Sequence, residues 1–227
     1  MSTIAANFQA VKSRIATAAN AAGRAPDAVT LLAVSKTVAA STLRECAAAG
    51  QRAFGENYLQ EALDKIRLLN ALDLEWHFIG PLQSNKTRLI AENFHWVHSI
   101  ERERIAARLN DARPSHLPPL NVCIQVNVSG EASKSGVAPD ETAALAQAIA
   151  ALPRLKLRGL MAIPEPTPEV ALRRQRFALL REIQAQLVAK GYPLDTLSMG
   201  MSDDLEDAIV EGATMVRVGT AVFGLRT

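Results

Sequence analysis

The chain has 227 residues, of which 48% are hydrophobic and 21% charged, and its 25 Lys and Arg against 23 Asp and Glu leave a formal charge of +2. That balance gives no electrostatic case for nucleic acid or an anionic membrane surface, so function has to be sought in a site. The length suits one domain, residues 1–227, with a substantial core, and no run approaches the roughly 18 uninterrupted apolar residues of a membrane span.

Residues 1–20 alternate apolar and polar positions at helical spacing and lack the continuous apolar stretch and cleavage site of a secretory leader. A cytoplasmic location is therefore expected. After this helix, over about residues 4–22, short apolar runs alternate with longer helical patterns almost to the end of the chain. Strands are predicted at 30–35, 53–55, 75–79, 96–99, 120–127, 155–162, 194–198 and 214–218. Helices are predicted between them at 40–49, 57–70, 84–92, 101–112, 139–151, 168–190 and 203–211. Eight such repeats fit a single (β/α)8 TIM-type barrel with an extra N-terminal helix, and an open doubly wound sheet is the alternative.

Local chemistry agrees with this division. Ser41 can cap the helix that leads to Gly50, Asp140 precedes an alanine-rich helix, and Gly191 and Gly212 stand where helices should stop. Pro118-Pro119 and the prolines at 164, 166 and 168 mark stiff connections. Cys46 and Cys123 fall on different elements with no metal spacing and read as reduced core residues.

In such a barrel the working face is built from the segments that follow the strands. Those positions are polar here: Lys36, Glu56 and Asn57, Gly80 with 83–86, Ser99, Asn127, Met161, Ser198 and Arg217. Lys36 closes the apolar run 30–36, so it stands at the carboxyl end of a strand buried on both faces. Desolvation disfavours an ammonium there, and the amine becomes a usable nucleophile toward an aldehyde. The competing reading is a lysine that simply ends a strand in water.

Two further segments, 198–204 and 217–220, follow strands seven and eight, where barrels commonly bind phosphate. Free amides at a helix start, glycines that admit an oxyanion, and the hydroxyls of Ser202 and Thr220 would supply the contacts. Two ordinary turns capped by Ser202 or Asp203 are the competing explanation. A carbonyl-capturing lysine and a phosphate cup in one barrel point to a phosphorylated aldehyde, of which pyridoxal 5'-phosphate is the commonest cofactor. An arginine such as Arg217 facing the pyridine nitrogen would disfavour its protonation and weaken the ring as an electron sink. A strand-end arginine paired with a helix carboxylate competes with that reading.

His77, His95, His98 and His116 form no metal motif and read as satisfied or surface histidines. Asp203-Asp204 reads as helix-start acid beside the macrodipole, and no dinucleotide, Walker-type or GxSxG signature is present.

At these residues the chain resembles the pyridoxal phosphate homeostasis protein family, stand-alone barrels related to the N-terminal domain of alanine racemase. The resemblance runs through 33–36, 54–58, 77–80, 82–86, 134–136, 159–161, 198–202, 217–220 and 223–224, so it covers nearly the whole chain. It implies that Lys36 forms the internal aldimine, that Ser202, Gly219 and Thr220 hold the phosphate, and that Arg217 faces the pyridine nitrogen. Asn57, Ser84 and Met201 match motif positions lining the same mouth. The resemblance also implies a protein that binds, buffers or delivers the cofactor without established turnover.

An amino acid racemase or lyase on the same barrel is the alternative. Racemases of this architecture add a second domain, whereas nine residues follow Val218 here. The expected partners are pyridoxal phosphate and apo forms of enzymes that use it, with no nucleic acid, no membrane and a monomeric state.

Overall fold

The computed structural model describes residues 3–131 and 135–224; Lys134, part of a motif named above, lies outside them. Among the described residues eight strands form: β1 (Thr30–Val34), β2 (Ala53–Glu56), β3 (Glu75–Phe78), β4 (Trp96–Ile100), β5 (Leu120–Gln125), β6 (Leu155–Met161), β7 (Thr196–Ser198) and β8 (Met215–Val218). All neighbours pair in parallel, and β8 returns to β1 to close the barrel. The connecting helices are α2 (Ala40–Ala48), α3 (Leu59–Leu68), α4 (Thr87–Asn93), α5 (Glu103–Ala112), α6 (Thr142–Ala150), α7 (Val170–Ala189) and α8 (Leu205–Val210). Two more, α1 (Thr3–Ala21) and α9 (Thr220–Phe223), flank the barrel in sequence.

The strands read as unbroken apolar runs because both of their faces are buried. Successive residues point alternately outward, to the helices, and inward, to the barrel axis. Leu31, Ala33, Phe54, Val97, Val122, Ile124, Val216 and Val218 join the main core with the helices. Leu32, Ala53 and Met215 pack inside with Ile79, and Trp96, Cys123 and Met161 form a second interior group. Gly159 is fixed by this packing: a Cβ there would overlap the Thr196 carbonyl, 2.6 Å from its carbon.

The extra helix α1 buries Phe8, Val11, Ile15, Ala18 and Ala19. It is pinned to the last barrel units through side chains. Arg14 pairs with Glu206 at 2.9 Å and donates to the Ser202 carbonyl at 3.1 Å. Asn7 donates to the Val222 carbonyl at 3.2 Å and Arg24 to that of Ile209 at 2.8 Å.

Several boundaries differ from those predicted. Strand β5 stops at Gln125, because Val126 forms only an isolated bridge with Val137 and Asn127 folds into the following turn. Strand β7 is three residues long, since the Leu194 amide turns back to the Tyr192 carbonyl. Ser41 lies inside α2, whose cap position is Ala39. The short α9 and a single 3-10 turn at Pro139–Glu141 carry too few residues for periodicity to announce them. Gly191 and Gly212 do end helices, with φ of 94° and 100°. Both cysteines are buried and free. Among the described residues no helix is long and apolar enough to cross a membrane.

Candidate cofactor site

Leu32 and Val34 point into the barrel, and Lys36 continues that inward row while Ser35 faces α3. Lys36 is half-buried, and the backbone on both sides of it is held from behind. The Ser35 amide donates to the Gly55 carbonyl at 2.9 Å, and the Ser35 carbonyl accepts from Lys65 Nζ at 2.7 Å. Lys65 also pairs with Glu56 at 2.8 Å and with Glu61, and the Ser35 hydroxyl donates to Glu56 at 2.6 Å. On the far side, Glu61 accepts the Thr37 amide at 2.6 Å.

Thr37 has φ 60°, a left-handed backbone that a β-branched residue adopts only under constraint and at a cost of about 1–3 kcal/mol. Glu56, counted above among the residues of the mouth, thus faces away from it. Burial pushes its carboxyl up, while Lys65 and Ser35 oppose that, and its Oε2 has no hydrogen-bond partner.

Arg217 points inward from β8 with 4% of its surface exposed. Its Nη1 donates to the Ser198 carbonyl at 2.6 Å and hydroxyl at 2.9 Å, and its Nη2 donates to the Ala162 carbonyl at 2.8 Å. No carboxylate pairs with it among the described residues. The helix-paired arginine considered above is therefore not what forms. Burial lowers its pKa to about 10, so it stays charged near neutrality, with only neutral oxygens as hydrogen-bond partners and the Asp204 carboxylate acting on it from beyond hydrogen-bond reach.

Register places Arg217 beside Leu32, in the inward row that leads to Lys36. On the other side of β1, Val34 pairs with Gly55, and the same inward rows lead on to Lys36 and Asn57. The Asn57 Oδ1 atom is buried without a partner. A Cβ on Gly80 would lie 2.8 Å from the Asn57 Cα, so this glycine lets the two neighbouring loops meet.

The remaining predicted residues lie on loops of the same face. Ser84 is half-buried, and its carbonyl accepts from the Thr87 hydroxyl at 2.9 Å and Arg108 at 3.1 Å. Met201 is exposed, and its amide donates to Asp204 at 2.6 Å. Ser202 precedes the first residue of α8 by three positions, and Asp204 rather than Ser202 or Asp203 holds the cap position. Gly219 caps α9 and Thr220 begins it. The opening amides of both helices have no intrahelical acceptor and are available to an oxyanion. No hydrogen bond links Ser84 or Met201 to Lys36 among the described residues.

His116 is exposed and His95 accepts the Trp76 amide at 3.0 Å, whereas His77 and His98 are fully buried inside the barrel. Burial holds the pKa of His77, His95 and His98 below the ordinary 6.5, that of His98 farthest. The folded state therefore keeps the two fully buried rings, His77 and His98, neutral where the unfolded chain binds protons. Their stabilising contribution is complete above about pH 6.5 and is lost as pH falls below it, by about 1.4 kcal/mol per pH unit for each histidine that titrates. Unfolding free energy measured in urea should accordingly drop between pH 7 and 5; a flat profile across that window would contradict neutral burial.

A cavity of about 840 Å3 opens at the opposite face, lined by Phe8 and Ile15 of α1, by the starts of β1 and β2, and by Glu75 and His95. The mouth rather than this cavity carries the site, because ligands in parallel barrels bind at the carboxyl ends of the strands. The buried cation of Arg217, the unpartnered Asn57 oxygen and the two turns of free amides fit a phosphorylated pyridine aldehyde held by Lys36.

Fold and mouth define a barrel of the alanine racemase N-terminal type, and the family described as "Alanine racemase, N-terminal domain" matches residues 6–227. The chain is 65% identical to the pyridoxal phosphate homeostasis protein of Pseudomonas aeruginosa, covering 100% of this chain and 97% of that one. Identity to the Escherichia coli K12 protein of the same name is 56%, over 100% of this chain and 98% of the other. The chain belongs to the pyridoxal phosphate homeostasis protein family.

The structure of PipY from Synechococcus elongatus with PLP bound superposes with a TM-score of 0.86 at 37% identity, covering 98% of this chain and all (100%) of that one. Alanine racemase from Corynebacterium glutamicum shares the fold, with a TM-score of 0.72 at 20% identity, covering 96% of this chain and 62% of that one.

Proposed function

We propose that this chain reversibly holds pyridoxal 5'-phosphate, with Lys36 as the covalent attachment point, and serves to buffer it or pass it to apoenzymes. The observation that carries this reading is Arg217: a buried, charged guanidinium with only neutral oxygens as partners, one inward row from Lys36. It would offer the pyridine nitrogen a cation where catalysts that need a strong electron sink place an acid, which suits holding the cofactor and disfavours carbanion chemistry. The relatives' names and the ligand of PipY support the identity of the cofactor.

In this reading the amides and hydroxyls of Ser202, Gly219 and Thr220 take the phosphate, and Asn57, Ser84 and Met201 shape the mouth. A cytoplasmic monomer without robust turnover completes the proposal. Incubation with common amino acids and added cofactor, followed by chiral analysis, tests it against the racemase alternative: no net inversion is expected, and sustained racemisation would reverse the assignment.

Arg217→Ala is expected to weaken cofactor binding by roughly 10- to 100-fold, the equivalent of one hydrogen bond from a charged donor. It should also move the absorbance maximum while leaving attachment at Lys36 intact. Unchanged affinity and spectrum would make the arginine purely structural.

A further inference from the structure

Through the barrel axis runs a line of polar side chains that the cofactor site alone does not require. Glu75 opens β3 on the face opposite the mouth, with its side chain 47% exposed, and lines the cavity there. Its Oε1 is 2.7 Å from His77 Nε2, and His77 Nδ1 is 2.9 Å from His98 Nε2. His98 Nδ1 is 2.8 Å from the Ser198 hydroxyl, which accepts from Arg217 at 2.9 Å. His77, His98 and Ser198 are completely buried.

The proton positions follow from the two ends. A carboxylate only accepts, so His77 carries its proton on Nε2 and leaves Nδ1 as an acceptor. His98 must then donate from Nε2, which leaves its Nδ1 to accept the Ser198 hydroxyl proton. The serine oxygen is left with lone pairs facing the guanidinium, which only donates. Every bond thus points the same way, from Arg217 to Glu75, with each buried group satisfied and both imidazoles neutral. Reversing any one link would set two donors or two acceptors against each other in a low-dielectric interior.

We propose that Ser198, His98, His77 and Glu75 are positioning residues for Arg217, forming a one-way hydrogen-bonded relay that fixes the guanidinium from the opposite face of the barrel. The relay rests on the cofactor reading only for its consequence: the orientation it imposes is the one Arg217 presents at the mouth. Burial supports it, since it holds both histidines below their ordinary pKa, while the first cause of the lowered Glu75 pKa is its hydrogen bond to His77. The Trp96 indole N–H adds a small further pull on Glu75 without meeting hydrogen-bond geometry.

Nitrogen NMR of the full chain with 15N-labelled histidine and arginine tests the relay at neutral pH. His77 and His98 should both be neutral with the proton on Nε2, and the Arg217 Nη groups should rotate slowly. An Nδ1–H tautomer or an imidazolium at either histidine would overturn the proposal. Ser198→Ala, which cuts the chain beside Arg217 but leaves the Ser198 and Ala162 carbonyls as acceptors, should speed the Nη1 rotation relative to the wild type, weaken pyridoxal phosphate about tenfold and shift its absorbance in the same direction as Arg217→Ala. His98→Phe should do the same, and His98→Gln, which keeps a donor and an acceptor, should recover part of the loss.

Loss of thermal stability in Ser198→Ala and His98→Phe with the Nη1 rotation rate unchanged from the wild type would reduce the line to packing and sink the idea. If the wild type shows no Lys36-dependent absorbance band, the cofactor reading has failed instead. The tautomers and Nη rotation then still decide the relay.

Discussion

The cofactor-loaded protein is expected to absorb near the visible edge, and Lys36→Ala to abolish that band and to convert tight attachment into weak, freely reversible association. In the proposed site the Lys36 amine makes the covalent bond to the aldehyde, whereas the turns at Ser202 and Gly219–Thr220 and the Arg217 guanidinium contribute only hydrogen bonds and charge. Each of those is worth about 1–3 kcal/mol at most, so residual binding should persist at higher ligand concentration. Reduction with borohydride and peptide mass mapping identifies the modified residue.

Among the described residues Lys86 also stands on a loop of the ligand side, and the sequence pattern adds Lys134 as a second rival. Lys86 occupies the cap position of α4, and Lys134 lies beyond the described residues. An undiminished band in Lys36→Ala, with the adduct on either of these, would remove the central assignment.

Lys65→Ala should produce the largest loss of stability, about 3–5 kcal/mol, because it leaves a buried carboxylate without its counter-charge. Lys65 is 5% exposed and Glu56 not at all, and Oε2 of Glu56 already lacks a partner. Against a total stability of about 5–15 kcal/mol, this is a fall of roughly 2 M in the urea midpoint. The change also reaches the site, since the same ammonium holds the Ser35 carbonyl before Lys36 and braces the Glu61 carboxylate that holds the Thr37 amide after it. Cofactor affinity should fall together with stability. Replacing both partners, Lys65→Met with Glu56→Leu, should recover much of the stability, as apolar substitutes for buried ion pairs do. A wild-type midpoint in Lys65→Ala would show that the cluster is solvated in solution.

Much of this was legible in the sequence, for identifiable reasons. Eight apolar runs between amphipathic stretches give the barrel because a parallel strand is buried on both faces and its helix on one. Lys36 and Arg217 could be placed at the mouth from their positions at strand ends. Position at a strand end alone puts Glu56 at the mouth, and the structure turns it away. The period of two, counted from Ala53 and Gly55, already turns Glu56 outward toward α3.

The histidines show where sequence stops. Strand phase puts His77 and His98 inside, but the bond from His98 to Ser198 spans 100 residues and exists only because β7 and β8 close the ring. No spacing rule links residues across a barrel diameter. The brace from Arg14 to Ser202 and Glu206 was equally invisible, since it depends on where an added helix comes to rest.

The mouth is rigid behind and open in front. Lys36 is anchored through its neighbours' backbone to a buried ion cluster, yet its own side chain is only half covered, and Met201 and Thr220 beside the ligand face are exposed. Under the proposed function, a cofactor seated there would present its outer edge to the solution, where the lysine of another protein could reach it by direct exchange. Surrender of the cargo would then require no unfolding of the barrel, and the rate of hand-over would be set by encounter and by the chemistry of exchange rather than by the host's stability.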